Sequence, residues 1–242
     1  MKGNVFIGTS GWHYKHWRGN FYPEGTKADE QLAFYIKQFP TVEINNSFYR
    51  VPPATTFDGW GKAVPNNFVF AVKANRYFTH LKKLKVDKEE INHFLEKVER
   101  LGGKAGPILF QLPPNWKINL QRLEEFLSKL PKHHRYTVEF RNPTWCRQEL
   151  FDLLHQFNAA FCIYDLAGHQ SPRMVTADFI YVRLHGPGDK YQGRYSPGQL
   201  ENWAQQCRQW LQQGRDVFIY FDNDEKGYAA INAMELSAIL DH

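Results

Sequence analysis

Cysteine is scarce: Cys146, Cys162 and Cys207 are the three in 242 residues, odd in number and far apart. No CxxC pair exists, so neither a disulfide framework nor a zinc knuckle is indicated, and no structural zinc is expected. Free thiols fit a reducing compartment, which predicts a cytoplasmic protein. Long apolar runs are also missing. No stretch approaches the roughly 18 apolar residues of a membrane span, so no membrane partner is expected. The opening MKGNVFIGTSGW lacks the apolar stretch of about 7–15 residues of a signal peptide. There is no HxH or HExxH spacing and no GxGxxG or Walker pattern after any apolar segment. Charge is only mildly biased: the net +5 tilts the chain towards anionic partners, and a few extra lysines on an ordinary surface account for it equally well.

Aromatic residues are plentiful, at 16% of the chain, which points to binding surfaces rich in Trp, Tyr and Phe. A chain of 242 residues is close to the usual size of one β/α barrel, about 250 residues. Strand-like segments fall at 5–9, 41–45, 68–73, 107–112, 136–140, 160–165, 179–185 and 217–221. Helical patterns lie between them at 29–38, 55–63, 88–101, 120–130, 148–157, 197–213 and 228–240. Asp87 with Glu90 reads as a capping box, and Ser196-Pro197 as an N-cap followed by Pro at the first helical position. Gly102-Gly103 and Gly214 read as helix stops. Strict β-α alternation argues for a parallel sheet flanked by helices. Eight such units predict a single α/β domain over residues 1–242, a (β/α)8 TIM-type barrel; a doubly wound open sheet is the alternative.

Alternation along each strand separates an apolar, helix-facing set from an inward set. Inward, near the strand C-termini, fall Glu43, Asn45, Lys73, Gln111, Glu139, Arg141, Asp165, Arg183 and His185. Active sites of β/α barrels lie at that end. Buried charges need partners, so these groups answer either one another, as an internal ion-pair network, or a ligand. Convergence from several strands favours the ligand. The loops after the strands add Trp12, Tyr14, Trp17, Phe48, Tyr49, Trp116, Trp145, Tyr191 and Tyr195, of which some are expected to stack on a ligand and about half to plug the barrel top.

The segments GTSGWHYKHWRGNFYP (8–23), VEINNSFYRVPP (42–53), GPILFQLPPNW (106–116), VEFRNPTW (138–145), YDLAGHQSP (164–172), YVRLHGPGDKYQGRYS (181–196) and YFDNDEKGYAAINAMEL (220–236) resemble the YecE-like family, domain of unknown function 72. The resemblance spans nearly the whole chain, with its motifs in order. It implies a β/α barrel with polar residues at the mouth and brings no established reaction. Many members resemble FNN where this chain has Phe221-Asp222-Asn223, so Asp222 adds a carboxylate there.

Several chemistries fit these residues. One inward histidine with Glu43, Glu139 and Asp165 is too few for a multi-zinc site; no cofactor is expected, with a single Mg or Mn on the carboxylates left open. A glycosidase needs two carboxyls at about 5–10 Å, for which Glu43 and Glu139 are the pair. Lys73 suits a Schiff base, although a salt bridge to Glu43 or Glu139 is its simpler role. An anion site fits best: Lys73, Arg141 and Arg183 grip a phosphate or carboxylate between Trp12 and Trp145. Glu139, His185 and Glu43 are then the catalytic candidates, and Asn45, Tyr49, Gln111, Asp165 and Asn223 ligand contacts. The expected function is an enzyme acting on a small phosphorylated or polyhydroxy, sugar-like anion. The alternative is a noncatalytic barrel that binds nucleic acid or a small anion. Oligomeric state is not legible.

Overall fold

A computed structural model describes residues 2–241. The strands are β1 (Val5–Thr9), β2 (Thr41–Ile44), β3 (Val69–Lys73), β4 (Ala105–Leu112), β5 (Tyr136–Phe140), β6 (Ala160–Leu166), β7 (His169–Gln170), β8 (Phe179–Leu184) and β9 (Asp216–Phe221). The helices are α1 (Gln31–Tyr35), α2 (Ala54–Ala63), α3 (Lys88–Val98), α4 (Leu120–Leu127), α5 (Gln148–Gln156), α6 (Pro197–Gln212) and α7 (Tyr228–Asp241). The sheet order is β1-β9-β8-β6-β5-β4-β3-β2, with β7 paired to β6 off this path. Ser10 and Glu43 form a parallel bridge just past β1. The fold is the expected α/β class, a (β/α)8 TIM-type barrel.

The chain partitions into two compact units. The first comprises the described residues up to Glu43, Ile163–Ser171 and those from Phe179 onward; the second comprises Ile44–Cys162 and Pro172–Asp178.

In the first unit β9 pairs in parallel with both β1 and β8. Helix α6 begins where expected. Ser196 and Gln199 form a capping box and Pro197 occupies the first turn, which satisfies amide groups that would otherwise lack partners. Its apolar stripe, Leu200, Trp203, Ala204, Cys207, Trp210 and Leu211, is buried at helical spacing. Gly8 lets β1 approach β2 closely: a Cβ there would meet Thr41 O at 2.2 Å.

In the second unit β4 pairs in parallel with β3 and β5. Helix α3 carries the Asp87–Glu90 capping box and buries Ile91, Phe94, Leu95 and Val98. Two expectations shift locally, both within the first unit. The 29–38 helix contracts to Gln31–Tyr35 and is flanked by turns. A short antiparallel strand, β7, pairs its His169 with Leu166 across Ala167 (φ +52) and Gly168 (φ +76), a tight turn that reverses the chain. Among the described residues no helix is long and apolar enough to cross a membrane.

Candidate functional site

The first unit gathers Glu43, Arg183 and His185 into one buried network. Arg183 lies on β8 and is wholly buried, as are Glu43 and His185. Its fork meets Glu43 at two points: Nε donates to Oε2 (3.0 Å) and Nη2 to Oε1 (2.8 Å). Two parallel bonds of this kind are the strong, planar form of guanidinium–carboxylate pairing. Tyr181, two residues earlier on the same face, donates its hydroxyl to Glu43 Oε2 at 2.6 Å, and Ser10 Oγ donates to Oε1. Arg183 Nη2 also donates to Ser10 Oγ (3.0 Å) and to Asp222 Oδ2 (3.1 Å). Glu43 therefore fixes the arginine, and its two oxygens accept four bonds.

His185 follows β8. Its Nδ1 lies 2.9 Å from Asp222 Oδ2, and its Nε2 lies 3.4 Å from Arg183 Nη1. A carboxylate only accepts and a guanidinium only donates. The pair therefore sets an Nδ1–H on Asp222 Oδ2 and turns Nε2 towards Arg183 Nη1. Carboxylate-oriented imidazole is the geometry in which a histidine serves as a general base. The contact at Nε2 is too long to be a strong hydrogen bond. Tyr14 packs beside this network and donates its hydroxyl to Ser10 O. Burial first, and then the charges of Asp222, Asp224 and Glu43, push its phenol well above the ordinary range. Burial and the neighbouring Asp222 likewise raise the Asp224 carboxyl.

The 186–196 loop lies over His185. Gly186 has φ +112, and a Cβ there would meet Gln192 O at 2.2 Å, so the loop entrance requires glycine. The loop brings the partly exposed Tyr191 ring into a T-shaped contact with the His185 ring, centroids 5.4 Å apart, with Lys190 Nζ 5.6 Å from the tyrosine ring. Asn223 Nδ2 donates to Gly193 O (2.8 Å) and to Asn232 Oδ1 (3.1 Å), which ties down the loop base. Asn223 Oδ1 is buried and has no hydrogen-bond partner among the described residues. Asp165 Oδ2 accepts from Gln170 Nε2 (3.0 Å), and Asp165 O accepts from His185 N (2.8 Å). Trp12 is buried, and its carbonyl accepts from the Tyr22 hydroxyl.

The remaining expected residues belong to the second unit. Glu139 and Gln111 are register partners on adjacent strands, and Arg141 Nε donates to Glu139 Oε1. Lys73 Nζ stands 4.3 Å above the Phe48 ring. Burial, then Lys73 and Arg76, hold the His80 imidazole below its usual value. Asn45 precedes the turn at Asn46–Phe48, and its carbonyl accepts from Phe48 N. Tyr49 is 74% exposed, whereas Trp145 is wholly buried and donates its Nε1–H to Trp116 O at 2.7 Å. Trp145, Trp116, Trp17 and Tyr195 are thus packing groups, and Tyr49 and Tyr191 are the rings left open to solvent.

Ser10 and Tyr181 join the network although the sequence reading does not name them as site residues, and Asp222, the added carboxylate of the Phe221-Asp222-Asn223 segment, joins it through Arg183 and His185. Tyr181 shares the inward alternation of Arg183 and His185, so its direction was readable. Its bond to Glu43, 138 residues away, was not.

The chain is similar to known proteins over its whole length. It is 28% identical over 272 aligned positions to the UPF0759 protein YunF of Bacillus subtilis, covering 98% of this chain and 95% of that protein. A solved DUF72 family protein from Thermotoga maritima superposes with a TM-score of 0.90 at 28% identity, covering 99% of this chain and all of the other. A DUF72 family protein from Enterococcus faecalis shares the fold, with a TM-score of 0.85 at 21% identity over 98% of this chain and 96% of its own. The family described as protein of unknown function DUF72 matches residues 6–242, and the chain belongs to that family.

Proposed function

We propose that this protein is an enzyme that performs general acid–base chemistry on a small phosphorylated or polyhydroxy anion, with His185 as the base. The observation that carries this reading is the buried His185–Asp222 pair, in which the carboxylate orients the imidazole through Nδ1 and Nε2 faces Arg183 Nη1 at 3.4 Å. Glu43 and Arg183 are positioning residues, because their charges answer each other. Groups on the loops beside His185 support the ligand class. Lys190 and the Tyr191 ring suit an anion with a sugar-like face, and Asn223 Oδ1 offers a buried acceptor to a hydroxyl. The Tyr191 ring lies against the imidazole at 5.4 Å, which makes the 186–196 loop the segment that a ligand would meet on approach.

The test is a thermal-shift and turnover screen with inorganic phosphate, ribose 5-phosphate, glucose 6-phosphate and AMP. A ligand of this site stabilises the fold by about 2.7 kcal/mol at a hundredfold excess over Kd. His185→Ala should lower turnover by about 10²–10⁴-fold while the protein still folds. Binding without turnover would replace the enzyme by a noncatalytic anion-binding barrel. Salt-sensitive oligonucleotide binding without turnover would make nucleic acid the ligand. No response to any of these probes would remove the anion reading.

A further inference from the structure

Glu99, His133 and His134 bring three metal-ligating side chains together within the second unit. Glu99 begins the 3-10 turn (Glu99–Lys104) that continues α3, and the two histidines lie just before β5. His133 Nε2 is 3.1 Å from Glu99 Oε1, and His134 Nε2 is 3.0 Å from the same oxygen. One ligand atom from each of the three residues falls within 4.8 Å of the others. A tetrahedral ion with bonds of about 2.0–2.1 Å to nitrogen and oxygen has ligand–ligand edges of about 3.3 Å. The two distances already stand close to that edge, so small side-chain rotations suffice to admit an ion.

The surroundings suit a cation. His134 is the buried member, at 10% side-chain exposure, and the Tyr136 ring stands edge-on to it at 6.0 Å. His133 and Glu99 are open, at 65% and 47%, which gives an ion a path from solvent and leaves coordination positions for water. The neighbouring cation on the same turn, Arg100, is directed to Asp58 at 3.8 Å. The rival account is a purely hydrogen-bonded cluster, in which both imidazoles donate to one carboxylate oxygen.

We propose that Glu99, His133 and His134 bind one borderline transition-metal dication of the zinc class, with the open position filled by water. Two imidazoles and one carboxylate are the donor set that such ions take, whereas Mg and Ca prefer all-oxygen shells. The ion would clip the end of α3 to the segment entering β5, linking positions 34 apart in sequence. This departs from the expectation of no structural zinc, which rested on cysteine scarcity and on the absence of ligands at short regular spacing.

The experiment uses tag-free full-length protein, stripped with chelator and dialysed, then titrated with ZnCl2 by calorimetry and followed by thermal melting. One Zn2+ per chain and a rising Tm are expected. The folded-to-unfolded ratio should grow about a hundredfold when free Zn2+ reaches a hundred times Kd. Millimolar Mg2+ should not reproduce the rise. The exposed-site variants His133→Ala and Glu99→Gln should each weaken binding at least about tenfold, and the double variant His133→Ala/His134→Ala should abolish it. His93→Ala, at an exposed histidine outside the trio, should bind as the parent does. Absence of 1:1 binding in the parent, or binding that survives the double variant, would overturn the proposal. Circular dichroism on each variant separates loss of metal from loss of fold.

Discussion

Glu43 and Glu99 each collect several nitrogen or oxygen donors, and they sit in opposite environments. Glu43 is wholly buried and accepts from Arg183 twice, from Tyr181 and from Ser10. Glu99 is about half exposed and faces two imidazoles through a single oxygen. Away from water, every lone pair must be matched, and a fixed guanidinium fork with two hydroxyls does so permanently. At the surface water competes for every bond, so the same kind of group stays exchangeable. Burial thus turns one carboxylate into scaffold and leaves the other available.

That contrast breaks most easily at Arg183. Arg183→Ala leaves Glu43 buried without its counter-charge, and a loss of about 3–5 kcal/mol is expected in urea denaturation. A loss under 1 kcal/mol would show that water or a neighbour replaces the guanidinium, and the scaffold role would fall. Tyr181→Phe is the gentler probe of the same carboxylate. It removes one bond to a charged acceptor and should cost about 1.5–3 kcal/mol. Without metal, Glu99→Gln should change stability by no more than about 1 kcal/mol, since an exposed cluster contributes little. A loss as large as that of Arg183→Ala would erase the comparison. The smallest effect concerns Asp224, whose carboxyl is raised by burial and by Asp222. A raised carboxyl makes the folded state bind its proton more tightly, so the contribution favours folding at acid pH and is lost as pH rises through the folded-state value. Asp224→Asn should therefore be slightly more stable than the parent at neutral pH, and the gap should close on acidification. A gap that widens in acid would contradict this sign.

Legibility in the sequence follows the range of the interaction. Period-two alternation sets Arg183 on β8 and His185 just after it to one side because alternation is a property of a few adjacent residues. Capping at Asp87 and Ser196 was readable for the same reason, since donor and acceptor are three residues apart. The helical pattern at 29–38 overruns the helix because it continues into turns: Ile36 N reaches both Leu32 O and Phe34 O, so helical bonding gives way there. Strand β7 leaves no mark in the sequence because Ala-Gly is a weak turn signal and two paired residues carry no periodicity. Ser10 meets Glu43, and Glu99 meets His133 and His134, across separations of 33 to 35 residues, which no local pattern encodes. Trp145 shows a further limit: composition marks it as a large ring beside polar residues, and only packing reveals that its N–H is already taken by Trp116.

The buried phenols have a consequence at the alkaline end. Of the twelve tyrosines, Tyr14, Tyr22, Tyr35, Tyr136, Tyr181, Tyr195 and Tyr220 are all pushed well above the ordinary value, chiefly by burial. An unfolded chain releases those protons near pH 10, whereas the folded chain keeps them. Stability contributed by the protonated phenols is complete below that pH and drains away above it. Phenolate absorbance from these seven rings should therefore appear in one cooperative step that coincides with loss of structure. The protein carries a built-in optical indicator of its own alkaline unfolding, with no added dye.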